Sequence, residues 1–133
     1  MWTPRASSSA ATISKGEAMI DVYGIRNCDT VKKARDWLDA EGIDYRFHDF
    51  KLEGLDAATA EGWIRALGRD VVINRRGTTW RKLTPAQQAI GSDAEAAVLL
   101  AAQPSLVKRP VFDTGAALLV GFGDEQRQAL KAL

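Results

Sequence analysis

Cys28 is the only cysteine among 133 residues, and its neighbours suit a thiol that reacts. The stretch Val22-Tyr23-Gly24-Ile25-Arg26-Asn27-Cys28-Asp29-Thr30-Val31-Lys32-Lys33-Ala34 reads as a short apolar strand, a tight loop and the first turn of an amphipathic helix. A thiol at such a turn faces unpaired backbone N–H groups and the positive end of the helix dipole. Both favour the thiolate, which is the nucleophilic form. Arg26, Lys32 and Lys33 add positive charge nearby. A free cysteine can instead be a small core hydrophobe. Polar residues on both sides of Cys28 argue against that alternative.

The other chemistry-bearing residues are sparse. His48 is the sole histidine, and it falls within an alternating segment far along the chain from Cys28. It is expected to be a half-exposed strand residue rather than a catalytic base. One cysteine and one histidine do not supply a tetrahedral metal set, so no metal is expected. Gly24, Gly77 and Gly115 read as turn glycines without phosphate-loop spacing. Asp29 reads as a helix-start residue rather than an acid catalyst. Asn27 is suited either to orienting the loop or to donating to a bound anion.

Alternating strands and helices must position these groups. Ile20 to Tyr23 is the first strand. Asp29 to about Glu41 is a helix with Val31, Ala34, Trp37 and Leu38 on one stripe, ended by Gly42. Ile43 to Asp49 alternates apolar and polar residues as a half-buried strand does. A βαβ opening of this kind implies two parallel strands. The middle is helical. Asp56 caps a helix with Ala60, Trp63, Ile64 and Leu67 on its inner face, stopped at Gly68. Thr84-Pro85-Ala86-Gln87 and Ser92-Asp93-Ala94-Glu95 read as capping boxes, with a basic loop, Asn74 to Leu83, before the first of them. Val107 to Phe112 and Ala117 to Phe122 read as an antiparallel hairpin turned at Asp113-Thr114-Gly115. Pro110 should break its strand or place it on an edge. Gly123-Asp124-Glu125 opens a terminal helix.

Composition sets the limits. A length of 133 residues with 46% apolar content suits one domain with a core. The 18 basic and 17 acidic residues nearly cancel, so no broad nucleic-acid footprint is expected. No apolar run approaches the roughly 20 residues of a membrane helix. A single cysteine permits no internal disulfide, which fits a reduced, cytoplasmic setting. Residues 1–18, Ser/Ala-rich and without an apolar signal segment, are expected to be a disordered extension. The domain then covers 19–133, with a helical insert at about 54–104.

Three motifs in order, Tyr23-Gly24-Ile25-Arg26-Asn27-Cys28-Asp29-Thr30, Arg76-Gly77-Thr78-Thr79-Trp80-Arg81-Lys82-Leu83 and Lys108-Arg109-Pro110, resemble the ArsC/Spx family, closest to its YffB branch of glutathione-dependent thiol reductases. The resemblance spans Met19 to about Leu130. It implies an α/β, thioredoxin-like βαβ…ββα sheet with an inserted helical subdomain. It also implies that Cys28 is the nucleophile, that Arg76 and Arg109 help bind an anionic substrate, and that Pro110 is the proline facing the cysteine, with a cis bond before it. Arsenate reductases of the family have a third arginine in the last strand region. Here that region is Gly115-Ala116-Ala117-Leu118-Leu119-Val120, which makes arsenate the less expected substrate. The Spx regulators carry a CxxC pair, and the matching stretch here is Cys28-Asp29-Thr30-Val31.

A mixed disulfide on Cys28 has no second thiol in the chain to resolve it. An external thiol must do so, and glutathione is the abundant cytosolic candidate. The expected function is therefore a glutathione-dependent thiol oxidoreductase with no bound cofactor and glutathione as co-substrate. It should act as a monomer on a small anionic or thiol substrate, without nucleic-acid or membrane partners. The alternatives are an arsenate reductase, or a non-enzymatic regulator that binds RNA polymerase. Trp80 either lines the pocket or packs.

Overall fold

The computed structural model describes residues 19–133, so the extension expected over 1–18 lies outside the described residues. Strand β1, Ile20–Gly24, leads through a short loop to helix α1, Asp29–Ala40, and then to strand β2, Tyr45–Asp49. β1 and β2 are parallel, with Ile20 opposite Tyr45 and Gly24 opposite Asp49. The helical middle follows: α2 (Phe50–Glu53), α3 (Ala57–Leu67), α4 (Arg69–Val72), α5 (Thr78–Arg81), α6 (Pro85–Gln88) and α7 (Asp93–Ala102). A 3-10 turn at Pro104–Leu106 returns the chain to β3, Val111–Asp113, and β4, Leu118–Val120. Helix α8, Asp124–Lys131, ends it. The sheet order is β2-β1-β3-β4, with β3 antiparallel to both of its neighbours. None of the described helices is long and apolar enough to cross a membrane.

The two faces of the sheet gather different helices, because successive strand residues point to opposite sides. Ile20, Val22 and Phe112 join Ala34 and Leu38 of α1 and Leu130 of α8 in one buried cluster. Val111, with Tyr23, Leu118 and Val120 beside it, joins Trp63 and Ile64 of α3 and Ala96 and Leu100 of α7 in another. The sheet is thus the middle of three layers. Adjacent Val111 and Phe112 enter different clusters, and each is fully buried.

Capping follows the sequence closely. The Asp56 carboxylate accepts from the Ala58 N–H at 3.1 Å, and Gly68 closes α3 at φ 96°. Thr84 and Gln87 form the reciprocal box. At α7 only half of the expected box forms. Ser92 Oγ accepts from Glu95 N, while the Glu95 carboxylate takes the N–H of Gly91 instead of that of Ser92. The basic segment is not all loop, since Thr78–Arg81 closes a helical turn. The terminal strands are shorter than expected. β3 begins only after Pro110, whose missing N–H cannot join a ladder. Val107 forms a separate bridge to Ile73.

Candidate active site

Cys28 is the N-cap residue of α1, with extended backbone dihedrals of −94° and 125°. Its N–H donates to Ile25 O at 3.1 Å, and its carbonyl accepts from Lys32 N at 2.9 Å. The half-buried side chain makes no capping bond, so the thiol stands beside first-turn N–H groups that no side chain satisfies. The loop can bend this tightly because of Gly24. A Cβ there would lie 2.8 Å from Val31 Cγ2 of α1, closer than real contacts allow.

Asp49 holds the loop from the other side. It is only 6% exposed. Its Oδ2 accepts the Arg26 N–H at 3.2 Å and its Oδ1 accepts the Lys51 N–H at 2.8 Å, the latter capping α2. One carboxylate therefore ties the turn two residues before Cys28 to the end of β2. From the sequence alone Asp49 reads only as the last residue of a strand. The available signal was an Asp followed by a helical turn, which is an N-cap pattern.

The Arg109–Pro110 bond is cis, as the resemblance implies. Tyr23 faces Val111 in the last pair of the β1–β3 ladder, so Pro110 lies one residue beyond that pair, at the Gly24 end of β1. Pro110 is buried and its carbonyl accepts from Gly121 N at 2.9 Å. The proline and the cysteine loop thus share the C-terminal end of β1, where Asn27 lies exposed. Arg109 is half-buried. Its Nη1 donates to Ser105 O at 2.9 Å, and its buried Nε has no partner. Two backbone bonds, Asn74 N to Leu106 O at 2.7 Å and Lys108 N to Val72 O at 2.8 Å, make up the Ile73–Val107 bridge and lay the Arg76 loop along the same segment. Ile25, Ile73, Val107 and Val111 belong to one buried cluster, which draws the three motif segments together.

The two arginines are nevertheless displayed differently. Arg76 is exposed and lines a cleft of about 330 Å³ with Asp70, Ile73, Asn74, Arg75 and Lys108. Neither Cys28 nor Arg109 is among the lining residues of that cleft. Trp80 is partly buried against the core cluster, with the Arg75 guanidinium 5.4 Å from its ring centre, so it packs.

His48 lies opposite Tyr23 in the β1–β2 ladder and stacks on its ring at 4.6 Å. Nε2 is 2.9 Å from Asp21 Oδ1 and Nδ1 is 2.9 Å from Glu53 Oε1. A neutral imidazole has one N–H and can donate to only one of these carboxylates, whereas the cation donates to both. Partial burial opposes the charge, but the bonds to Asp21 and Glu53 outweigh it and raise the His48 pKa above its usual value. Burial likewise opposes ionisation of Asp21, yet its bonds from His48 and Arg46 lower its pKa. The His48 contribution to stability is complete below the unfolded value of about 6.5 and is lost as pH rises through the raised folded value. The Asp21 contribution is present above about 3.9 and is lost as pH falls through the lowered folded value. We expect the stability gap between wild type and His48→Gln to be wider at about pH 5.5 than at about pH 8.5, as read by urea midpoints at the two pH values. An equal gap would contradict the charged network. Among the described residues, no group of three or more His, Cys, Asp or Glu side chains is placed to hold a metal ion.

A sheet of order β2-β1-β3-β4 with helices on both faces, and a lone cysteine starting the first helix, define a thioredoxin-like protein with an inserted helical subdomain. The chain belongs to the ArsC family, whose profile matches residues 23–130. A solved structure described as the YffB protein is 46% identical, with a TM-score of 0.79, over 84% of this chain and 97% of its own. A solution structure of an arsenate reductase (ArsC) related protein from Brucella melitensis is 47% identical, with a TM-score of 0.67, over 86% and 96%. A curated relative, the global transcriptional regulator Spx of Listeria innocua, is 27% identical over 81% of this chain and 83% of its own.

Proposed function

We propose that this protein is a glutathione-dependent thiol oxidoreductase working in a reducing cytoplasm. The observation that carries the reading is the uncapped Cys28 side chain at the start of α1, in a chain with no other cysteine. The thiolate attacks the glutathione sulfur of a mixed disulfide R–S–S–G. The Cys28–S–S–G bond forms, the original disulfide breaks, and R–S⁻ leaves to take up a proton. The thiolate of a second glutathione then attacks the glutathione sulfur on Cys28. Oxidised glutathione leaves and the Cys28 thiolate returns. The net exchange is R–S–S–G + GSH → R–SH + G–S–S–G, so the one incoming glutathione thiol is the reductant, and no resident cofactor is needed.

Arg109 is suited to binding an anionic substrate group beside the thiol. With Nη1 held by Ser105 O, its Nη2 has no partner among the described residues. Arg109→Lys should raise KM for a carboxylate-bearing disulfide about ten- to a hundredfold, because an ammonium lacks the planar fork. Initial rates against substrate concentration check this, and an unchanged KM removes Arg109 from the site.

The test of the reading is glutathione-dependent reduction of a model mixed disulfide, coupled to glutathione reductase, run beside an arsenate assay and a binding assay with RNA polymerase. Disulfide turnover with weak arsenate turnover supports it. Strong arsenate turnover moves the protein to the arsenate reductases of its family. Polymerase binding without any effect of glutathione overturns an enzymatic role.

A further inference from the structure

Two ties meet on α2, a single helical turn from Phe50 to Glu53. At its start, Asp49 accepts from Lys51 N with one carboxylate oxygen and from the Arg26 N–H, two residues before Cys28, with the other. At its end, the Glu53 carboxylate meets His48 Nδ1 at 2.9 Å. Little else holds the turn. Phe50 is its one buried side chain, Leu52 is 74% exposed, and Gly54 ends it at φ 75°. The second tie depends on a proton. His48 sits between Asp21 of β1 and Glu53 of α2, stacked on Tyr23 of β1. The other charged groups on the surrounding elements are already placed. Arg46 of β2 is bound to Asp21, Asp113 of β3 pairs with Asp21 in register, Glu61 and Arg65 of α3 pair with each other, and Lys51 of α2 is exposed. Trp63 of α3 packs on Tyr23 and adds no charge.

A charged imidazole donates to both carboxylates, whereas the neutral ring turns a lone pair toward one of them. Asp21 keeps its bonds from Arg46, while Glu53 is exposed and has no second partner among the described residues. Loss of the proton therefore releases Glu53, and with it the end of the turn whose start holds the cysteine loop. We propose that His48 and Glu53 are positioning residues for Cys28: their pair pins α2, α2 keeps Asp49 on the Arg26 N–H, and the thiol is presented best while His48 is charged. Partial burial opposes that charge, but the bonds to Asp21 and Glu53 raise the His48 pKa, so the strap opens as pH rises through a value above 6.5. The inference rests on the reading of Cys28 as the reacting thiol and not on glutathione as its partner.

Iodoacetamide tests this on the full chain, because Cys28 is the one thiol it can alkylate. The alkylation rate is divided by the thiolate fraction, read from ultraviolet absorbance, between about pH 5.5 and about pH 9. In wild type the rate per thiolate should fall about two- to fivefold as pH rises through the His48 titration, the scale expected of a partly exposed ion pair. Glu53→Ala should show the lower value at every pH. Glu53→Gln should hold the higher value at every pH, since its amide accepts from the charged ring and donates to the neutral one. A flat wild-type profile overturns the strap, and so does a fall of the same size in Glu53→Ala. A fall that persists in Glu53→Gln assigns the effect to the charge of His48 alone and also overturns it. The wild-type fall with both variants flat supports the strap even where no disulfide is turned over with glutathione, a result that would sink only the reaction proposed above. Glu53 is exposed, so both variants should fold.

Discussion

Cys28→Ser is expected to abolish glutathione-dependent disulfide reduction and at the same time to leave the fold intact or slightly more stable. The loss follows from the nucleophile. A serine hydroxyl does not ionise near neutral pH, and no other thiol can replace the missing one. The stability follows from the local geometry. Cys28 occupies an N-cap with extended dihedrals and makes no side-chain cap bond. Serine is among the preferred residues at that position, because its oxygen accepts from an N–H of the first turn. A gain of about 0.5–1 kcal/mol is expected, readable as a higher urea midpoint at unchanged slope. The wild-type residue therefore leaves a helix terminus unsatisfied, which is the kind of local sacrifice found where function requires it. Retained activity in Cys28→Ser defeats the thiolate mechanism. A clear loss of stability instead points to a packed, structural cysteine.

Asp49→Ala is expected to lower stability by about 2–4 kcal/mol and to depress turnover further than that loss explains. The estimate combines about 1 kcal/mol for a lost N-cap with about 1–3 kcal/mol for the Arg26 N–H left without its acceptor. Turnover falls because the Arg26 N–H bond fixes the turn that presents Cys28, and misplacing a reacting group by about 1 Å can slow a reaction about a hundredfold. Asp49→Asn, which keeps one carbonyl oxygen, should fall between wild type and Asp49→Ala in both respects. Urea titration and initial rates at a temperature where all three are folded decide the matter. Turnover per folded molecule that is unaffected in Asp49→Ala would confine Asp49 to a structural role.

Much of the architecture was legible because its signals are local. The alternation through Ile43 to Asp49, the Asp56 and Thr84 caps and the glycine stops at Gly42 and Gly68 each report on a few neighbouring residues. The placing of Cys28 at a helix start follows from the same kind of evidence. What escaped depends on groups distant along the chain. The expected strand from Val107 splits because Val107 pairs with Ile73, a residue of the helical segment, while Val111 pairs with Tyr23. The role of Asp49 depends on Arg26, 23 residues earlier. The separation of Lys108 from Arg109 is decided by which neighbour each side chain meets, and both are simply basic residues in the sequence. The helical turn at Thr78–Arg81 is short enough for the packing of Trp80 to decide it against weak local propensity.

The sheet order also bears on how copies of the chain treat one another. Among the described residues, its central strands, β1 and β3, are paired on both sides, and β2 and β4 are the strands that present free backbone groups. β4 is three residues long and soon reaches Gly121, at φ 91°. β2 is five residues long, and its Arg46 and His48 side chains are tethered to Asp21 on the neighbouring strand. Very short strands and charged side chains are the usual means of blunting an exposed edge against edge-to-edge pairing. The margins of this sheet are thus poor templates for β-aggregation, even though its interior strands are rich in valine, isoleucine and phenylalanine.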